Sequence, residues 1–292
     1  MTPGAASYTW PPGVLPDSHR RSTQGDHTSV RSLLRIFTQQ PLAAKVPEIT
    51  VMFWVIKILT TAAGEAISDY LALGNKELGA LIELGVFAVA LVVQFSTRRY
   101  FAPAYWFLAL AIAIAGTGVS DTMHLTFGVP YAGTSIFWAI VLAAIFFAWD
   151  RSEHTLSIHS ITTSRREKFY WATIFATFAL GTAVGDFTAT TLGLGFLASA
   201  IFFCVVILIP WIGWSRFHMN EVFAFWFAYV VTRPIGASFA DYFSKPHYLS
   251  GADFGDLQTA AVITLLVAIL VAYTAIKRFD IQSPGAEVAG GT

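Results

Sequence analysis

The chain has 292 residues, 55% of them hydrophobic and only 12% charged, and its 18 basic and 18 acidic side chains cancel at neutral pH. A soluble domain carries about 25% charged residues, so this composition excludes an ordinary water-soluble globule and points to lipid as the solvent. There is no basic stripe for nucleic acid, and the lone Cys204 excludes an intrachain disulfide or a cysteine metal cluster.

Residues 1–44 are rich in Ser, Thr, Pro, Gly and Arg and predict a disordered cytoplasmic tail. Within it, residues 29–37 mix Arg31 and Arg35 with Leu33, Leu34, Ile36 and Phe37, which suits a short amphipathic helix on a membrane surface or a plain linker. A transmembrane domain follows over 45–278, with helices expected near 47–71, 79–97, 103–125, 134–150, 168–189, 194–214, 220–243 and 258–277. Each has roughly 17–25 residues, the length that spans about 30 Å of hydrocarbon. The breaks carry turn residues: Gly74-Asn75, Gly128-Val129-Pro130, Gly193-Leu194-Gly195 and the longer Ser244 to Asp256 loop. Residues 279–292 predict a second disordered cytoplasmic tail.

A Trp, Gly and Asp spaced ten and five residues apart recur four times without a gap: Trp54, Gly64, Asp69; Trp106, Gly116, Asp121; Trp171, Gly181, Asp186; and Trp226, Gly236, Asp241. The expected fold is all-α, with eight transmembrane helices arranged as four tandem parallel helical hairpins, over about 45–98, 99–151, 165–215 and 218–278. Basic residues set the orientation. With the N-terminus in the cytoplasm, Arg20, Arg21, Arg31, Arg35, Lys45, Arg98, Arg99, Arg151, Arg165, Arg166, Lys168, Arg216, Lys277 and Arg278 are cytoplasmic, and only Lys76 and Lys245 fall outside. Both termini are then inside, and the four Asp residues share one depth near the outer surface.

With its four two-helix repeats, each marked by a Trp, the chain resembles a bacterial family of integral membrane proteins built on a repeat of unknown function. The opening Val46-Pro47-Glu48-Ile49-Thr50 before Trp54 is similar to the start of that family. The resemblance covers about 45–278. It implies the repeat architecture and a bacterial inner membrane, and no established substrate.

The repeated residues suggest chemistry. A carboxylate near a helix C-terminus is opposed by the helix dipole, so four in register call for a reason beyond ending a helix at the headgroups. Intramembrane acids usually face a bundle interior, pair with a base or line an ion path. The position four before each Asp holds Glu65, Thr117, Thr182 and Ala237, on the same broad face. Trp54, Trp106, Trp171 and Trp226 fit an aromatic belt or packing between repeats. Gly64, Gly116, Gly181 and Gly236 fit close helix approach. Thr60, Thr177 and Thr232, nine before Asp, suit bonding to their own helix backbone.

Lys57 and Arg233 are unique to their copies and are costly in lipid unless paired. The economical arrangement pairs them with some of Glu65, Asp69, Glu83, Asp121, Asp186 and Asp241, leading with Arg233 to Glu65; snorkelling is the alternative for Lys57. His124, three after Asp121, is a candidate nitrogen ligand beside the four Asp carboxylates, or a hydrogen-bonded boundary residue.

The expected function is a transporter or channel for a small cation. Oxygen-rich sites suit a hard divalent ion such as manganese or magnesium, with protons exchanging on the same carboxylates. A non-catalytic membrane sensor or scaffold is the alternative, and an intramembrane aspartyl enzyme is a third reading. No P-loop, GxSxG, HExxH or CxxC accompanies the acids. The expected partners are therefore the lipid bilayer and the ion itself, with no nucleic acid, no enzymatic activity and no resident cofactor.

Overall fold

Polar side chains at the ends of the apolar runs set where the helices begin. In the computed structural model, residues 41 and 43–282 are described. The expectations for nearly all of 1–44, including the amphipathic segment at 29–37, and for 283–292 lie outside them. Thr50 accepts from the Phe53 amide at 3.2 Å and opens α1 (Val51–Ala72). Asn75 caps α2 (Lys76–Ser96) through the Leu78 amide. Pro103 sits in the first turn of α3 (Ala102–Asp121), where its missing N–H costs nothing. After α4 (Tyr131–Glu153), Thr163 caps α5 (Ser164–Asp186).

The sixth apolar run, expected as one helix over 194–214, is two: α6 (Phe196–Val206) and α7 (Leu208–Phe217). Pro210 has no N–H to offer the Val206 carbonyl, which interrupts the ladder at that point. Asn220 caps α8 (Glu221–Ser244), and α9 (Asp256–Lys277) follows Gly255, whose φ of +85° only glycine adopts readily. Eight helical runs among the described residues are long and apolar enough to cross a membrane, with α6 and α7 together forming the sixth. The protein is an all-α, multi-pass membrane protein of four two-helix repeats.

The first helices of the repeats, α1, α3, α5 and α8, form an inner ring in which each touches the next and α8 returns to α1. Their windows are 61–72% buried, against 22–33% for the second helices, which lie outside. The outer helices do not pack chiefly on their own partners. The second helix of each repeat rests on the first helix of the next: α2 on α3, α4 on α5, α6 and α7 on α8, and α9 on α1. The repeat is therefore not the self-contained hairpin that the alternation of runs and turns suggested. Each hairpin is shared between neighbours, because the outer stripe of an inner helix is covered only from the adjacent repeat.

The repeated glycines mark where the inner helices come together. A Cβ at Gly116 would lie 2.9 Å from Phe178 Cβ, and one at Gly236 would lie 2.6 Å from Thr61 Cγ2. Gly64 meets Ala113 and Gly181 meets Arg233 in the same way. Every one of these partners is the residue eight before Asp in the next repeat, so the ring is cyclic down to single side chains.

The Trp end of the bundle is a packed aromatic collar. Trp106, Trp171 and Trp226 are buried, and Trp54 is half-buried. Burial of three of the four favours packing over an interfacial belt. The residue before each Trp is aromatic, and its ring meets the Trp of the next repeat: Phe53 with Trp106 (5.7 Å), Tyr105 with Trp171 (5.1 Å), Tyr170 with Trp226 (6.1 Å) and Phe225 with Trp54 (5.7 Å). Tyr105 and Tyr170 also share a hydrogen bond of 2.5 Å between their hydroxyls.

The chain flanking the spans is tied to this end. Lys45 pairs with Glu167 at 2.8 Å, and Gln94 also donates to Glu167. Burial pushes the Lys45 ammonium below its ordinary pKa, and Glu167 partly offsets it. Residues 279–282 belong to the packed body rather than to a loose tail. Asp280 is buried and accepts from the Tyr100 hydroxyl at 2.6 Å, and its carbonyl accepts from the Glu48 amide at 2.8 Å.

Candidate functional site

At the opposite end, the inner ring brings the acids together. The helices run parallel and in register, so residues four apart stack in layers along the axis. The outermost layer holds Asp69, Asp121, Asp186 and Asp241. The next holds Glu65, Thr117, Thr182 and Ala237. Ligand oxygens of Glu65, Asp69 and Asp241 all lie within 4.8 Å of one another. Asp241 is 4% exposed, and among the described residues its carboxylate has no hydrogen bond or ion pair. Asp121 and Asp186 lie outside that tight group but within electrostatic reach of each other, of Glu65 and of Asp69.

Arg233 fills the second layer from below. Its guanidinium is fully buried, and Nη2 donates to Glu65 Oε2 at 2.6 Å, to Thr182 Oγ1 at 2.6 Å and to Thr117 Oγ1. Thr117 in turn donates to Glu65 Oε2 at 2.8 Å. One residue from each repeat meets here: an acid, two hydroxyls and, in the fourth, an alanine that leaves room. Thr117 and Thr182 stood in the sequence only as occupants of a register position. Their role becomes visible once the base entering from α8 is placed between them.

Lys57 does not take the place expected for it. It is buried, and no carboxylate lies within 4.0 Å of it among the described residues. Its ammonium lies 4.3 Å from the Phe178 ring centre and 4.2 Å from that of Tyr229, and donates to Thr61 Oγ1 at 3.4 Å. Lys57 is twelve residues before Asp69, more than three helical turns below it, so it meets aromatic faces and a hydroxyl instead of carboxylates.

Glu83 reaches in from α2. Ser68 donates to its Oε1 at 2.6 Å, and its carboxyl fills the notch left by Gly118. His124 is not part of the acid group. It lies in a π turn (Thr122–Thr126) that follows Asp121, its Nδ1 is hydrogen-bonded to the Val129 carbonyl at 2.8 Å, and its ring stacks on Tyr131 at 3.7 Å. A second π turn (Phe187–Thr191) follows Asp186. Both widen the helix just past an Asp, a distortion that is frequent at functional sites.

The base nearest the outer acids caps the end of α8, four residues after Asp241. Lys245 Nζ lies 2.7 Å from Asp69 and 3.3 Å from Asp256. Burial opposes its charge, but Asp69 and Asp241 outweigh that and raise the ammonium above its ordinary pKa. The loop folds back on the end of α8: Ala252, Phe254 and Gly255 donate backbone N–H groups to the carbonyls of Tyr242, Phe243 and Ser244. Topology alone placed Lys245 outside the membrane, and nothing in the sequence pattern ties it to Asp69.

A cyclic bundle of four repeats with carboxylates converging at one end of its axis and a closed aromatic collar at the other defines a class of multi-pass membrane protein. The family described as Repeat of Unknown Function (DUF347) matches the chain over 52–100, 104–155, 169–220 and 224–279, each match beginning two residues before the repeated Trp, and the chain belongs to that family. No curated protein and no solved structure matches the chain.

Proposed function

We propose that the protein is a carrier for a small divalent cation, with Glu65, Asp69 and Asp241 as the coordinating group and Asp121 and Asp186 as an outer field that concentrates the ion. The observation that carries this reading is the approach of three carboxylates to within 4.8 Å in a chain that spans the membrane. Like charges are held that close where a cation or a base is to be bound. Oxygen-only donors suit manganese or magnesium over softer metals.

A carrier fits better than an open channel. Below the acids the axis is filled by the Arg233 network, by Lys57 between Phe178 and Tyr229, and by the aromatic collar. A site that water reaches only at the Lys245–Asp69 contact, above an axis that is filled, suits alternating access between parallel repeats. The distribution of Lys and Arg supports cytoplasmic termini, and the family resemblance supports a bacterial inner membrane. A non-catalytic role is part of the proposal: Glu65 held by Arg233 and Asp69 held by Lys245 suit ion coordination better than a proton shared between two acids.

The test is uptake of Mn²⁺ into proteoliposomes, followed by quenching of an internal dye. Asp241→Asn should lower uptake by at least about tenfold while the protein stays folded, and the Asp121→Asn, Asp186→Asn pair should lower it less. Undiminished uptake by a folded Asp241→Asn protein would remove the assignment. A sensor or scaffold is the second reading, favoured by the two bases that already neutralise part of the acid group. Metal binding without flux would select it.

A further inference from the structure

The acid group already contains a cation that the chain supplies itself. Lys245 is the C-cap residue of α8, where the 245–255 loop begins, and its ammonium lies 2.7 Å from Asp69 and within electrostatic reach of Asp241. Asp241 is more than nine-tenths buried, has no hydrogen-bond or ion-pair partner among the described residues, and places an oxygen within 4.8 Å of both Glu65 and Asp69. Only Glu65 has its own fixed base, Arg233. The group thus has one carboxylate satisfied permanently, one satisfied by a loop and one left over.

The loop that follows Lys245 joins the end of α8 to the start of α9. It carries left-handed backbone at Ser250, Asp253 and Gly255, and is fastened by backbone bonds to the last turn of α8 and by the second contact of Lys245 with Asp256 on α9. The side chains of Lys245 and Asp69 are 23% and 14% exposed, so water reaches this contact, whereas the Arg233 pair below is sealed.

We propose that Lys245 is a tethered competitor for the cation: a divalent ion entering the Glu65, Asp69 and Asp241 group displaces the ammonium from Asp69 and releases the 245–255 loop. This rests on the cation-carrier reading and adds to it a gate with a named residue. An ammonium is a point charge on a flexible stem. It balances Asp69 while the site is without metal, and its withdrawal exposes the carboxylate when a doubly charged ion competes. Asp256 acts as the second berth to which Lys245 retreats.

The probe is Mn²⁺ binding to the full-length protein in nanodiscs, read by electron paramagnetic resonance, together with labelling of lysines by a water-soluble amine reagent mapped by mass spectrometry. Lys245→Gln should bind Mn²⁺ at least about tenfold more tightly than the natural protein, and Lys245→Arg should not. Saturating Mn²⁺ should raise the labelling rate of Lys245 several-fold relative to exposed Lys76. Equal Mn²⁺ affinity in the natural protein and Lys245→Gln, or labelling of Lys245 unchanged by bound Mn²⁺, would overturn the gate and leave the cation site standing. Absence of Mn²⁺ binding to both proteins would overturn the cation site and the gate with it.

Discussion

Gly181 on α5 provides the space through which the side chain of Arg233 on α8 passes: a Cβ at position 181 would lie 2.5 Å from Arg233 Cβ and closer still to Cγ. The base that fills the Glu65 layer is thus positioned by a side chain that is absent from the neighbouring repeat. Gly181→Ala must push α5 and α8 apart or tilt the guanidinium away from Glu65. Overpacking of this kind costs about 1–3 kcal/mol. The expected result is a lower unfolding midpoint in detergent. Gly74→Ala, where an added Cβ would meet nothing within 4 Å, should stay within about 0.5 kcal/mol of the parent.

Arg233→Ala leaves Glu65 buried without its base, and Glu65→Gln leaves the guanidinium without its acid. Each break should cost about 3–5 kcal/mol and show as lost folded protein in fluorescence-detected gel filtration. Replacing both partners, as in Glu65→Gln with Arg233→Met, should recover part of the loss, because no charge is then stranded. A double variant as damaged as the sum of the singles would mean that the two residues act separately.

The Lys245 contact has a pH signature. Its pKa in the folded protein is raised, so the stabilisation it gives is fully present below the ordinary lysine value of about 10.4 and is lost as pH climbs past that toward the folded value. The stability gap between the natural protein and Lys245→Gln should therefore hold from about pH 8 to about pH 10 and narrow only above. A gap that closed well below pH 10 would show that the ammonium is not held by Asp69 in solution.

Topology is testable without purification. The basic-residue asymmetry and eight spans place Lys76 and His159 on opposite sides of the membrane. Alkaline phosphatase or fluorescent-protein fusions at the two positions should report opposite locations, with His159 cytoplasmic; matching signals would refute the eight-span topology.

The spans and their register were legible because Trp, Gly and Asp repeat without a gap, and because lipid demands long apolar helices. The packing partners of the outer helices were not, since a period says which residues correspond and not which neighbour covers them. Phe53, Tyr105, Tyr170 and Phe225 stand in the sequence before each Trp, yet their meaning depends on the ring closing from the fourth repeat onto the first. Lys57 misled because its depth was weighed less than its charge. Lys245 was hidden because it follows the last Asp of the repeat pattern, and only the closure of α8 onto α1 shows that it reaches Asp69.

The closure of that ring has a consequence for how the chain is made. Helix α9 rests on α1, and the Glu48 amide bonds to the Asp280 carbonyl, so the two ends of the membrane body lie side by side. The first span to leave the ribosome waits for the last before its outer face is covered. Until α8 follows, Glu65 has no Arg233, and biosynthesis must shelter an unpaired acid in a half-built assembly. Adjacent ends also mean that the start of the chain is an arbitrary cut in a circle. A gene that begins at the second repeat, with the first rejoined after the fourth, encodes the same set of contacts in a different order of synthesis.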